Sequence, residues 1–243
     1  MPGWRLLPVE AFPSVPSTRT VVCAERHRQD AGVFSQHRRK ALQAVGCGVA
    51  AVTGIHHQPS PIPLSKLCLQ LRCGCFWGIE AVFQHVKGVK SAVSGYSGGT
   101  ANTAKYELVG RGNTGHAESV EVTYDRSQIT YGHLLKIVFA VAHDPTQRNR
   151  QGPDVGPQYR SAIFYGGDEQ KRIAEAYVAQ LQEADVYPRR IVTQIVPLRA
   201  FYPAEDYHQD YAAKNPFDIY IMTHDAPKVA HLKTAFPKLY VRR

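Results

Sequence analysis

A change of hydrophobic period at one point constrains this chain more than any other feature. Leu67, Leu69 and Leu71 alternate with Cys68 and Gln70, which predicts a strand over Lys66 to Arg72. Ile79, Val82, Phe83 and Val86 then recur at threes and fours, which predicts a helix that Gly88 ends. Between the two patterns stands Gly74-Cys75-Phe76-Trp77-Gly78. A cysteine at such a junction has its sulfur beside the first free N–H groups of a helix. The positive helix end is expected to lower its pKa from about 8.5 toward neutrality and populate a thiolate. The helix can bury only one side of the aromatic pair, so at least one ring is expected to share the sulfur's opening. A buried structural cysteine with two core aromatics is the plain alternative. The helix-start position and the flanking glycines favour chemistry.

Composition narrows the rest. A hydrophobic fraction of 44% over 243 residues is enough for one or two ordinary globular domains. The formal charge of +9 raises the question of nucleic acid, but most of the excess lies before Cys73, and the remainder is nearly balanced. Cys23, Cys47, Cys68, Cys73 and Cys75 are odd in number and all lie in the first third, which is no disulfide framework. Residues 1–63 read as a basic, acid-poor leader. Arg38-Arg39-Lys40 precede a mildly apolar run from Ala41 to Ile55, and Pro59, Pro61 and Pro63 form a stiff linker. The run is too short and Gly-rich to span a membrane. It is read as a disordered extension, a misplaced start or an export signal. Residues 64–243 then form the catalytic domain, with an irregular C-terminal tail.

Within that domain a strand is expected from Val89 to Tyr96, then a long loop over residues 100–115 that carries Tyr106. His116 to Tyr124 reads as a strand with His116, Glu118, Val120, Val122 and Tyr124 on one face. Glu118 thus points to the apolar side, where its pKa rises and it can act as a general acid, whereas Glu121 points to water. Thr130 starts a helix containing Leu134, Leu135, Val138, Phe139 and Val141. A second long loop from Asp144 to Gln158 carries Asp154. Tyr159 to Tyr165 is a strand. Asp168 is expected to cap a helix with Ile173, Tyr177, Leu181 and Ala184 on its stripe. Ile191 to Val196 is a strand, and Ala204 to Ala213 a short helix. The order predicts an α+β fold: a two-layer sandwich of helices on a mixed, partly antiparallel sheet, ferredoxin-like in character, with long irregular loops.

The residues then resemble a known family. Gly74-Cys75-Phe76-Trp77-Gly78, Gly95-Tyr96-Ser97-Gly98-Gly99, Thr114-Gly115-His116-Ala117-Glu118, Gly156-Pro157-Gln158-Tyr159-Arg160-Ser161 and Phe201-Tyr202-Pro203-Ala204-Glu205-Asp206-Tyr207-His208 are similar to stretches of the A-type peptide methionine sulfoxide reductases. The resemblance covers about residues 67–216. It implies that Cys75 is the nucleophile, that Glu118 protonates the sulfoxide oxygen, and that Tyr106 and Tyr159 donate hydrogen bonds to that oxygen. Asp154 would hold the loop. Phe76 and Trp77 would cage the substrate methyl group, with Gly74 and His116 completing the binding set. The implied reaction converts methionine S-sulfoxide, protein-bound or free, into methionine and leaves a sulfenic acid on Cys75. No bound cofactor or metal is implied, only an external thiol: thioredoxin, glutaredoxin or glutathione. The pattern departs from many relatives in having no cysteine after Cys75, so Cys73 or Cys68 is at best a weak resolving candidate; a Cys73–Cys75 bridge is near the limit of disulfide reach. A monomer in the cytoplasm is expected, with the periplasm or export as the alternative if the leader is a signal.

Two rival readings stand beside it. A cysteine hydrolase would need His116 within reach of the Cys75 sulfur. A non-catalytic binder of oxidised side chains would use Phe76, Trp77, Tyr106 and Tyr159 without turnover. A zinc site from Cys73, Cys75, His56 and His57 lacks paired ligand spacing.

Overall fold

The computed structural model describes residues 68–72 and 75–243. The leader, Cys73 and Gly74 lie outside the described residues, as does the side chain of Cys68. In chain order the elements are β1 (Cys68–Arg72), α1 (Phe76–Gln84), β2 (Val89–Ser97), α2 (Tyr106–Val109), β3 (Ala117–Tyr124), α3 (Tyr131–Ile137), β4 (Arg150–Gln151), β5 (Asp154–Val155), β6 (Ala162–Tyr165), α4 (Asp168–Glu183), β7 (Gln194–Pro197), β8 (Phe201–Pro203), α5 (Tyr211–Lys214) and α6 (Ala226–Ala235).

Six strands form one sheet in the order β7-β6-β1-β3-β2-β8; β4 and β5 make a separate two-stranded ribbon. β1 is antiparallel to both neighbours, with Leu71 opposite Val120 of β3 and Ile163 of β6. β6 and β7 run parallel. The four inner strands, β6-β1-β3-β2, with helices after β1 and β3, are the split βαβ arrangement of ferredoxin-like folds. The predicted helix-on-sheet class is therefore the observed one. Its consequence for function is positional: Cys75 comes three positions after the central strand β1 and caps α1.

α1 packs on β2 and β3, so Ile79, Val82 and Phe83 meet the buried Val120, Val122 and Tyr124 of β3. Burying each such side chain is worth about 1.5–3 kcal/mol, so the layer that carries the cysteine is held firmly. α4 covers β6 and β7, α3 leans on α4, and α6 returns to lie against α1.

Several expectations shift at their edges. α1 begins at Phe76, three residues before its apolar period, because Cys75 takes a non-helical cap conformation (φ −54°, ψ 120°). The 100–115 loop contains the helical turn α2, which begins at Tyr106. Tyr159 closes a 3-10 turn (Pro157–Tyr159) before β6 instead of opening the strand. Asp168 is inside the first turn of α4 and Gly167 is the cap; the acid there faces the positive helix end. Ala184 lies past the helix and is exposed. The strand expected from Ile191 starts only at Gln194. Ala204 to Ala213 is not one helix but a 3-10 turn, Asp206–His208, then α5. The C-terminal stretch is more regular than expected: a π turn (Ile221–Asp225) leads into α6, whose first turn holds Pro227. Among the described residues, no helix is long and apolar enough to cross a membrane.

Candidate active site

Cys75 sits at the N-cap of α1 and is 7% exposed. The next residue fixes the acid: the Phe76 backbone N–H donates to Oε2 of Glu118 at 3.2 Å. An orphan N–H of the first helical turn is thereby satisfied by a carboxyl from β3, which is itself buried. β2 sets that placement, since Tyr96 is the cross-strand partner of Glu118.

The electrostatics correct one expectation. Burial pushes the Cys75 thiol up, and the Glu118 and Asp225 charges push it further; the Trp77 backbone N–H and the Lys228 ammonium pull less strongly the other way. The helix end does not win, because the sulfur is dry and faces two carboxyl groups. Burial likewise raises Glu118 to about 8, against the pull of the Phe76 N–H, with Asp154 and Asp225 adding to the rise. At neutral pH the site therefore rests with both groups protonated, a thiol beside a carboxylic acid. Such a pair can deliver one proton and receive the other while carrying no net charge.

Three phenols surround the pair. Tyr106 is raised to about 12 by burial and then by the Glu118 and Cys75 charges. Tyr159 is raised by burial and by Glu118, and Tyr220 by burial and by Cys75. All three remain O–H donors over the working pH range. Tyr220 donates to Oδ2 of Asp154 at 2.5 Å, and the Asp154 charge acts on Glu118; Tyr220 is a residue that the sequence reading did not name. Tyr106 is positioned through its backbone: Glu205 accepts from the Tyr106 N–H at 2.9 Å and from the Tyr96 hydroxyl at 2.8 Å. Tyr159 is positioned by its turn. Gly156 has φ +147°, where a β-carbon would collide with Gln158, so glycine is required. Arg160 ties the turn to the Gly115 carbonyl at 2.8 Å.

The aromatic pair divides its work. Phe76 is buried, against Tyr96 and His208, while Trp77 is half-buried and stacks on Tyr211 with centroids 3.8 Å apart. The Trp77 indole N–H donates to Nδ1 of His208 at 3.2 Å, which fixes both rings. Glu80 of α1 accepts from Ser94 and from the Asp210 N–H, which anchors the turn that presents Tyr211.

His116 does not join the binding set. Its Nδ1 accepts from the Gly99 N–H at 3.2 Å and its Nε2 donates to the Thr100 carbonyl at 2.9 Å. The imidazole braces the loop after β2, so a hydrolase pair of Cys75 and His116 is not formed. Gly74, Cys73 and the Cys68 side chain, named from the sequence, lie outside the described residues. Among the described residues no cluster of three metal-binding side chains occurs.

Beneath α1 lies a group that the sequence did not announce. Asp225 is fully buried, and Lys228 donates to its Oδ1 at 2.9 Å. They lie against Gly78, where a β-carbon would overlap the Asp225 carboxylate and sit 2.8 Å from Lys228 Nζ. Gly78 in the pentapeptide is thus the gap that admits the pair. Gly78→Ala is expected to destabilise by about 1–3 kcal/mol, read as a lower urea midpoint with unchanged slope.

Fold and site together define a cysteine-dependent oxidoreductase with its acid built in. The comparisons make that specific. The family model described as peptide methionine sulfoxide reductase matches residues 69–239. Peptide methionine sulfoxide reductase MsrA 2 of Mesorhizobium japonicum is 60% identical over 167 residues, 69% of this chain and 86% of that one. MsrA 2 of Synechocystis sp. is 53% identical over 163 residues, 67% and 76% of the two chains. Among solved structures, reduced Mxr1 from Saccharomyces cerevisiae is similar at TM-score 0.60 and 34% identity, covering 64% of this chain and 89% of that one. Methionine sulfoxide reductase A of Corynebacterium diphtheriae gives 0.56 and 38%, covering 66% and 77%. The chain belongs to the peptide methionine sulfoxide reductase family, A type, and reduces methionine S-sulfoxide at the expense of a thiol.

Proposed function

We propose that Cys75 attacks the sulfoxide sulfur while Glu118 protonates the sulfoxide oxygen. The observation that carries this is the Phe76 N–H bond, which brings a carboxylic acid to the helix start where the sulfur lies. A bond forms between the two sulfurs as the Glu118 proton passes to the oxygen. The thiol proton replaces it on Glu118. The oxygen then passes to the Cys75 sulfur as the methionine sulfur–oxygen bond and the transient sulfur–sulfur bond both break, leaving methionine and a sulfenic acid on Cys75. Methionine sulfoxide is reduced by two electrons and Cys75 is oxidised by two. Tyr106 and Tyr159 hydrogen-bond the oxygen as it gains charge, acting as a neutral oxyanion hole. Asp154 and Tyr220 brace the far wall. Phe76 and Trp77 enclose the methyl group.

Two equivalents of external thiol return Cys75 to the reduced state, releasing water and a disulfide. A thioredoxin-class dithiol fits best, with glutaredoxin or glutathione as the other sources. Support comes from the sequence, which holds no cysteine after Cys75. A reducing compartment such as the cytoplasm suits that cycle.

The test offers resolved S and R sulfoxides of a blocked methionine with dithiothreitol. Turnover of the S epimer alone is expected. After one turnover without reductant, dimedone should label Cys75 and nothing else. Turnover of the R epimer contradicts the reading, and a Cys73–Cys75 or Cys68–Cys75 link would replace the external thiol with an internal one.

A further inference from the structure

Glu80 is a buried carboxyl that the reaction does not use; it is 1% exposed and stands three residues after Trp77 on α1. At that spacing the two side chains leave neighbouring points of one helix face. They meet consecutive residues of a single elbow. The Asp210 N–H donates to both Glu80 oxygens at 3.2 Å, and the Tyr211 ring stacks on Trp77 with planes 12° from parallel. Asp210 has φ +57°, a left-handed conformation that a residue other than glycine keeps only where its surroundings fix it. Gln84 fixes it from α1, donating to Asp210 Oδ1 at 2.7 Å. Gln209 fixes it from β2, accepting from the Ser94 N–H at 3.0 Å and donating to the Ser94 carbonyl at 2.9 Å. The Ser94 hydroxyl in turn donates to Glu80 at 3.0 Å, so helix, strand and elbow converge on this carboxyl.

We propose that Glu80 is a positioning residue for substrate binding: by holding the Asp210 elbow it sets Tyr211 against Trp77, and so shapes the wall that receives the substrate's methyl group. The inference rests on the reductase reading, in which Trp77 encloses that group. Because Glu80 acts through the ring stack, its effect falls on KM and leaves kcat nearly unchanged. The clamp also responds to pH. Burial raises Glu80 to about 7, against the Asp210 N–H and the Ser94 hydroxyl; the Asp210 charge adds to the rise and the Lys214 ammonium opposes it. Among the described residues Asp210 and Lys214 are the charged groups acting on it, since Asp225 and Lys228, from the π turn and α6, lie against Gly78 instead. An ionised Glu80 accepts through both oxygens, whereas in the protonated form one of them carries the proton. The elbow therefore tightens, and KM falls, as pH rises through about 7.

The test measures kcat and KM for a blocked methionine S-sulfoxide at saturating dithiothreitol across pH 5.5–8.5. Wild-type KM should fall by about fivefold with its midpoint near 7. Glu80→Ala should raise KM by about tenfold with kcat within about twofold. Glu80→Gln still offers an oxygen to the Asp210 N–H, so it should restore a low KM that no longer steps near pH 7. With Trp4→Phe leaving Trp77 as the sole indole, acrylamide should quench its emission more strongly in Glu80→Ala than in Glu80, and more strongly below pH 7 than above. In a Tyr211→Leu background, Glu80→Ala should add little further to KM. An unchanged KM in Glu80→Ala, a loss confined to kcat or to melting temperature, or a pH step that survives in Glu80→Gln overturns the proposal. Should Glu80→Ala fail to fold, the wild-type and Glu80→Gln titrations decide alone. Failure of the wild type to turn over the blocked methionine would instead remove the reductase reading, while the quenching, which needs no turnover, would still report on the elbow.

Discussion

Glu118→Gln is expected to lower kcat by about 10²–10⁴ and, at the same time, to raise stability. The amide keeps an oxygen that can accept the Phe76 N–H, so the helix start survives while the proton for the sulfoxide oxygen is lost. The stability gain follows from linkage. Glu118 titrates at about 8 in the folded chain against an ordinary 4.5. Between those values the folded state binds the extra proton, so stability declines as pH climbs from about 4.5 to about 8 and is lowest above that window. A neutral amide removes the decline, worth ~3 kcal/mol at pH 7. Wild-type activity carries the same signature: kcat should fall as pH rises through about 8, when the acid form is lost, and Glu118→Gln should lack that limb. Stopped assays across pH 6–10 with paired urea melts measure both. A variant of full activity, or one less stable than wild type at pH 8, contradicts the role given to Glu118.

Lys228→Met should be the most damaging substitution outside the reacting groups. It leaves Asp225, fully buried and with its Oδ2 already lacking a partner, without its cation. Breaking such a pair costs about 3–5 kcal/mol. Burial already raises Asp225, and Lys228 is the main force holding it down, with His224 adding to Lys228 and Asp154 opposing them. Without Lys228 the carboxyl takes up a proton more readily. The deficit should therefore shrink as pH falls and grow as pH rises. The paired change Asp225→Asn with Lys228→Met should recover much of the loss, and a double-mutant cycle in urea reads the coupling. Cys75 should also alkylate more slowly in Lys228→Met, since the ammonium is one of two influences that lower the thiol.

What the sequence made legible, and what it hid, divides along range. The strand–helix junction at Cys75 was readable because both periods are local. Glu118 was readable because an alternating strand puts every second residue on one face, and the apolar Val120, Val122 and Tyr124 identify that face. The ionisation of Cys75 was not readable: it depends on dryness and on Asp225, which arrive from the far end of the chain. The same applies to Tyr220, whose place is set by a bond to Asp154, and to Glu205, which holds Tyr106 across the fold. His208 lies in a stretch that resembles the family, yet its role appears only where the Trp77 indole meets it. One signal was available: Asp225-Ala226-Pro227 has the acid and the early proline that open helices, and it marks α6.

The position of α6 also bears on how the enzyme is made. A ribosome delivers Cys75 well before the segment holding Tyr220, Asp225 and Lys228. Until that segment closes under α1, the nucleophile of a nascent chain stands in water without its dry neighbours, open to the oxidants whose damage the finished enzyme repairs.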